Sequence, residues 1–195
     1  PSSSKNAFLS YLEKQLISNK NEIISENKKD LTLAKKNKLE PAFIDRLIIN
    51  SKTIDSMCEG LRNIHSLNDP IGNIEKISVR PNGLKIGKMR VPLGVILIIY
   101  ESRPNVTIDV AALAVKSGNS VILRGGSEAL HSNLFLGKLI QKALQLAKLP
   151  SNAVQIVNKA ERSLVTELIT AKDYIDVIIP RGGKGLIKNI SDNAK

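Results

Sequence analysis

Beyond Val91 the sequence alternates short apolar runs with stretches of helical period, and that alternation leaves few folds open. The first run, Gly94–Tyr100, carries no charge, as a strand buried on both faces requires. Val110, Ala111, Ala114 and Val115 then share one helix face, and Lys116-Ser117-Gly118-Asn119 is a helix stop and turn. A strand over Ser120–Leu123 is followed by a helix from about Glu128 to Ala147, with Leu134, Leu136, Leu139, Ile140, Ala143 and Leu144 as its apolar residues. A strand over Ala153–Val157, a short helix near Ser163–Thr170 and a strand over Tyr174–Ile179 complete the series. The order predicts an α/β fold, a parallel Rossmann-like sheet with helices on both faces. Right-handed crossovers place every strand-to-helix loop at the carboxyl edge of such a sheet, where ligands bind.

The first ninety residues read differently. Phe8, Tyr11, Leu12 and Leu16 keep helical spacing, and Ile23, Ile24, Leu31 and Ala34 predict a second helix with lysines on its wet side. Pro41 suits the first turn of a third helix, and Asn50 or Ser51 can cap a fourth. On that fourth helix Ile54, Met57, Cys58 and Leu61 share a face, so the lone cysteine reads as a small core residue rather than a nucleophile. The period then becomes two at Ile77 and Val79 and at Leu84 and Ile86, around the turn Arg80-Pro81-Asn82-Gly83. A β-hairpin near 74–90 is therefore expected. Two strands alone are marginally stable, so it is expected to pair with something else, such as another subunit.

Composition narrows the function classes. One cysteine and two histidines, His65 and His131, make a cysteine/histidine zinc site implausible and point to a reduced, cytoplasmic protein. No apolar run nears the ~20 residues of a membrane span, and residues 1–5 lack the apolar core of a signal peptide. The net charge is +11, but the lysines are scattered and aromatics make up 3%, so no nucleic-acid module is indicated. A positive field does suit phosphorylated small molecules.

Three strand-to-helix loops are rich in residues suited to anions. Arg124-Gly125-Gly126-Ser127 leaves the second strand of the unit, where dinucleotide-binding folds meet the adenosine ribose. An acidic residue there binds the 2′-hydroxyl of NAD, whereas an arginine can grip the 2′-phosphate of NADP with two parallel bonds. A surface arginine at a tight turn fits the spacing equally well. Pro180-Arg181-Gly182-Gly183-Lys184-Gly185 precedes a helical start, whose backbone N–H groups attract anions. It lacks the phosphate-loop pattern, and isolated glycine-rich turns are common. Glu101-Ser102-Arg103-Pro104-Asn105 follows the first strand and combines a charge pair, a hydroxyl and an amide. Helix capping by Asn105 with an ordinary Glu–Arg pair explains it as well.

These stretches, read together, carry a resemblance. Val91-Pro92-Leu93-Gly94-Val95, Tyr100–Thr107, Lys116–Asn119, Ile122–Ala129 and Pro180–Leu186 resemble, in order, the gamma-glutamyl phosphate reductase branch of the aldehyde dehydrogenase superfamily. Asp45-Arg46-Leu47, Asp69-Pro70-Ile71-Gly72 and Asn82–Ile86 are similar to it too. The resemblance implies reduction of L-glutamate 5-phosphate to L-glutamate 5-semialdehyde with NADPH and release of phosphate, in proline biosynthesis. It implies a thioester route, in which a cysteine thiolate displaces phosphate and the thioacyl group accepts a hydride.

The resemblance places Arg124, Gly125, Gly126 and Ser127 at the adenosine end of the cofactor. Arg181, Gly182, Gly183, Lys184 and Gly185 come near the pyrophosphate or nicotinamide, and Glu101, Ser102, Arg103, Pro104 and Asn105 at the reacting end. Most of the superfamily carries Trp-Asn in that last loop; Ser102-Arg103 stands there here, so no oxyanion donor is assigned. The nucleophilic cysteine is expected beyond Lys195, and this stretch alone is expected to be inactive. The implied organisation is a helical segment over 1–73, an oligomerisation hairpin over 74–90 and a dinucleotide-binding domain over 91–195. The implied partners are other copies of the chain and a glutamate kinase, separate or fused upstream. A noncatalytic nucleotide-binding module is the alternative.

Overall fold

The computed structural model describes residues 1–159, 161 and 163–194. Four helices come first: α1 (Ser2–Ser18), α2 (Lys20–Lys36), α3 (Pro41–Leu47) and α4 (Ser51–Ser66). Pro41 opens α3 as expected, and Asn50 caps α4 by accepting from the Thr53 N–H at 2.9 Å. The hairpin follows as β1 (Ile74–Val79) and β2 (Lys85–Met89). Gly83, at φ +83°, makes its turn, and the Asn82 side chain accepts from the Leu84 N–H.

The α/β unit runs β3 (Val95–Tyr100), α5 (Asn105–Lys116), β4 (Ser120–Arg124), α6 (Leu130–Leu146), β5 (Val154–Ile156), α7 (Ser163–Ile169), β6 (Val177–Arg181) and α8 (Lys184–Asn193). The four strands pair in parallel in the order β5-β4-β3-β6. The order reverses between β3 and β6, which makes their carboxyl ends the switch point of the sheet.

Two boundaries differ from the sequence expectation. The last strand is β6 over Val177–Arg181, not Tyr174–Ile179. Tyr174 lies in a turn, 78% exposed, while Pro180 and Arg181 pair with Ile99 and Tyr100. Proline reads as a strand breaker, but β6 is at one edge of the sheet and tolerates it. The helix expected from Glu128 begins with a 3-10 turn over Ser127–Ala129 and becomes α6 at Leu130.

Strand β3 shows why both faces must be covered. Ile96, Ile98 and Tyr100 point into a core shared with α1, α4, α5 and α6, which also holds Phe8, Leu12, Ile54, Leu61, Ala111 and Ile140. Leu97 and Ile99 point the other way, against Ile169 of α7 and Ile190 of α8. Full burial of each such aliphatic side chain contributes about 1.5–3 kcal/mol. The helical segment is thus packed into the same core as the sheet.

Several of the quoted motifs have structural roles. Lys116 is buried, and its ammonium donates to Asn6 Oδ1 at 2.7 Å and the His65 carbonyl at 3.0 Å. Asn119 Oδ1 accepts from the Leu93 and Gly94 N–H groups at 2.6 and 3.0 Å, which fixes how the chain runs into β3. Burial pushes the Asp69 carboxyl up, but bonds from Lys5, Ser2 and the Ile71 N–H outweigh it and hold it at about 2. Gly94 sits at φ +117°, and a Cβ there would fall on the Asp176 carboxylate, which accepts from the Val95 N–H. Gly94→Ala is expected to cost about 2 kcal/mol through backbone strain and the displaced carboxylate, read from the shift in urea midpoint.

Candidate functional site

The loops after β3, β4 and β6 meet at the carboxyl edge of the sheet around a cavity of about 640 Å³. Glu101, Arg124, Gly126, Ser127, Glu128 and Gly185 all line it. Parallel strands starting from one baseline produce this convergence, because each loop must leave from the same edge.

The β3 loop is tied on both sides by carboxylates. Glu101 Oε2 accepts from the Gly183 N–H at 2.9 Å, and the Glu101 N–H donates to the Arg181 carbonyl at 3.2 Å. Gly183 is the N-cap of α8, so the carboxylate rests at the positive end of a helix. On the other side Glu128 Oε1 accepts from both the Ser102 N–H and its hydroxyl, each at 2.8 Å. Ser102 is buried at φ +45°, a conformation that costs about 1–3 kcal/mol for a residue with a side chain. Those two bonds offset the cost. Asn105 is not the cap expected of it. It is the first residue of α5, behind Pro104, and its amide donates to Asp109 Oδ2 at 3.3 Å. The Asp109 carboxyl is pushed up by burial, against the nearby charge of Arg181 and the Asn105 bond.

The β4 loop rests on a polar network. The Thr107 hydroxyl donates to Asn133 Oδ1 at 2.8 Å, so the Tyr100 hydroxyl must donate to Thr107, at 2.7 Å. Burial pushes the Tyr100 phenol up to about 12, despite the bond with Thr107. A Cβ on Gly125 would fall on the Asn133 amide, and one on Gly126 on the Glu128 carboxylate. Both glycines of this loop thus lie close to the protein's own side chains. Arg124 is half-buried and Nη1 donates to the Gly125 carbonyl at 3.1 Å. In the β6 loop, Arg181 ends the strand, Gly182 packs against Glu101 and Leu186, and Lys184 and Gly185 open α8.

Two residues unforeseen from sequence hold the site's scaffold. Asp30 of α2 is buried, and its two carboxylate oxygens accept from the His131 and Ser132 N–H groups at 3.0 and 2.8 Å, at the start of α6. Asn27 bonds the Ser132 hydroxyl, the Leu47 carbonyl and the Ile49 N–H. Their signal is spacing: Ile23, Asn27, Asp30 and Ala34 form one helical stripe, and all four are buried. Cys58 is buried among Ile54, Met57 and Leu61, and burial pushes its thiol up, away from reactivity.

The aldehyde dehydrogenase family model matches residues 14–195, nearly all of the chain. The chain belongs to the aldehyde dehydrogenase family. Within that family it is 51% identical over 187 residues to the gamma-glutamyl phosphate reductase of Petrotoga mobilis, covering 96% of this chain and 45% of that protein. The crystal structure of a gamma-glutamyl phosphate reductase from Thermotoga maritima superposes with a TM-score of 0.96 at 40% identity, over 100% of this chain and 47% of that one. A gamma-glutamyl phosphate reductase from Saccharomyces cerevisiae gives 0.93 at 28% identity, over 100% of this chain and 50% of that one. The chain thus spans about half the length of these relatives. Membership of the aldehyde dehydrogenase family implies a nicotinamide cofactor.

Proposed function

We propose that this chain is the cofactor-binding part of an NADPH-dependent reductase that converts L-glutamate 5-phosphate to L-glutamate 5-semialdehyde and releases phosphate. The convergence of the three anion-suited loops on one crevice carries the reading. The groups present fit a dinucleotide. The Glu101 carboxylate rests on the Gly183 N–H at the head of α8, so that position takes an anionic oxygen, and Arg124 lines the cavity. Arg124, Gly125, Gly126 and Ser127 would hold the adenosine end with its 2′-phosphate. Arg181, Gly182, Gly183, Lys184 and Gly185 would hold the pyrophosphate and orient the nicotinamide. Glu101, Ser102, Arg103, Pro104 and Asn105 would face the reacting end, fixed by their bonds to Gly183 and Glu128. The cofactor supplies a hydride when bound; this stretch of chain orients it and keeps water from it, and the nucleophilic cysteine belongs elsewhere in the enzyme.

The activity is tested on the polypeptide in its native length, in the reverse direction. Oxidation of glutamate 5-semialdehyde that requires phosphate and prefers NADP supports the reading. Turnover indifferent to phosphate overturns it. We place the enzyme in the cytoplasm, supplied with its acyl phosphate by a glutamate kinase.

We also propose the 74–90 hairpin as an oligomer contact. Both strands are exposed along their length, yet they carry Ile74, Ile77, Val79, Ile86 and Met89. Such a ribbon gains stability by burying that surface against a second copy. Ile77, which is 62% exposed, gives the cleanest probe. Ile77→Asp is expected to weaken self-association by about tenfold or more while leaving the monomer fold intact, as measured by sedimentation equilibrium.

A further inference from the structure

Glu128 belongs to the loop after β4 but spends its carboxylate on the loop after β3. Its Oε1 accepts from the Ser102 N–H and from the Ser102 hydroxyl, each at 2.8 Å. Both ends of the contact are built for it. Gly126 lacks the Cβ that would fall on the carboxylate. The 3-10 turn that carries Glu128 is closed by the Ala129 N–H, which donates to the Gly126 carbonyl at 3.2 Å, and Ala129 is buried in a cluster with Ala34 and Leu47. On the other side Ser102 and Pro104 are buried, while Arg103 between them is exposed. The conformation of Ser102 therefore sets the direction in which Arg103 leaves the loop. A serine alone does not favour φ +45°, so the two bonds from Glu128 select it.

We infer that Glu128 is a positioning residue for the reaction: it locks the β3 loop in its left-handed turn and ties that loop to the one after β4. Outlying backbone conformations persist only where the surrounding structure over-determines them, and they gather where groups must be aimed. Here two donors of one residue converge on one carboxylate oxygen, which fixes the backbone and the side chain of Ser102 together. Without that acceptor Ser102 relaxes toward ordinary φ, and Glu101 and Arg103 move with it. A misplacement of about 1 Å at a reacting centre costs on the order of a hundredfold in rate. Glu128 lines the cavity, yet this role needs no contact between its carboxylate and a ligand.

This role rests on the proposed reductase reading, and the two are separable by experiment. The polypeptide in its native length is assayed for oxidation of glutamate 5-semialdehyde with NADP and phosphate, after circular dichroism has established folding of each variant. Glu128→Ala is expected to lower kcat by about ten- to a hundredfold, with the KM for NADP within about threefold of wild type. Glu128→Gln offers an amide oxygen to the same two donors and is expected to recover most of that loss. Glycine takes a positive φ unaided, so in a Ser102→Gly background Glu128→Ala is expected to cost only about threefold further. A loss that falls on the KM for NADP, or one just as large in the Ser102→Gly background, would overturn the positioning role and leave the reductase reading standing. So would full activity in Glu128→Ala, or a loss of about tenfold or more in Glu128→Gln. A wild-type enzyme whose turnover ignores phosphate would overturn the reductase reading, and the positioning role with it.

Discussion

Asp30→Ala is expected to lower the stability of the chain by about 3 kcal/mol, because it strips one buried and one half-buried N–H group of their acceptor at once. The His131 and Ser132 N–H groups open α6 and have no carbonyl of their own helix to reach. Asp30 is 1% exposed, so water cannot readily take its place. The carboxylate also sits at the positive end of the α6 dipole, which adds to the loss. For a chain of this size the change corresponds to a fall in melting temperature of roughly 6–12 °C. Asp30→Asn keeps the shape and one acceptor and is expected to fall between the two. A melting temperature within a degree or two of wild type would mean that Asp30 does not hold the helical segment to α6.

Arg124→Glu is expected to weaken NADPH binding by about a hundredfold and to leave NADH within about threefold of wild type. The expectation follows from the proposed place of the 2′-phosphate. The substitution removes a charge-assisted contact and sets a carboxylate where the phosphate would sit, beside Glu128, which already lines the cavity. Arg124→Lys retains the charge without the planar fork and is expected to lose about tenfold. Equal losses for both cofactors in Arg124→Glu would show that Arg124 supports the loop, through its bond to the Gly125 carbonyl, rather than the ligand.

Much of the architecture was legible because it depends on local pattern. The uncharged run at Val95–Tyr100 could only be a strand covered on both faces, and the alternation that follows it dictates a parallel sheet. The family resemblance was legible in the loops for a related reason. Glycines at 94 and 125 and Asn119 answer close-range constraints that few residues can meet. The misplaced last strand came from reading Pro180 as a loop residue, which an edge strand does not demand.

Less legible were features that depend on contacts far apart in sequence. Asn27 and Asp30 are polar residues that no apolar pattern picks out, although their spacing from Ile23 and Ala34 puts them on the buried stripe. Glu101 looked like half of a Glu–Arg pair; its partner is a backbone N–H at Gly183, brought near by the pairing of β3 with β6. Nor does any local pattern announce that Leu33, Asn37, Leu39 and Phe43 line the same cavity as Arg124, since packing alone brings them there.

The proposed reading makes this crevice a nicotinamide-dinucleotide site that prefers NADPH. Titration of the purified chain with NADPH and with NADH, following nicotinamide fluorescence after circular dichroism has established folding, tests it most directly. Saturable binding at one site with clear preference for NADPH is the predicted result. Equal affinity for the two would contradict the role given to Arg124, and a folded chain that binds neither would contradict the assignment of the crevice itself.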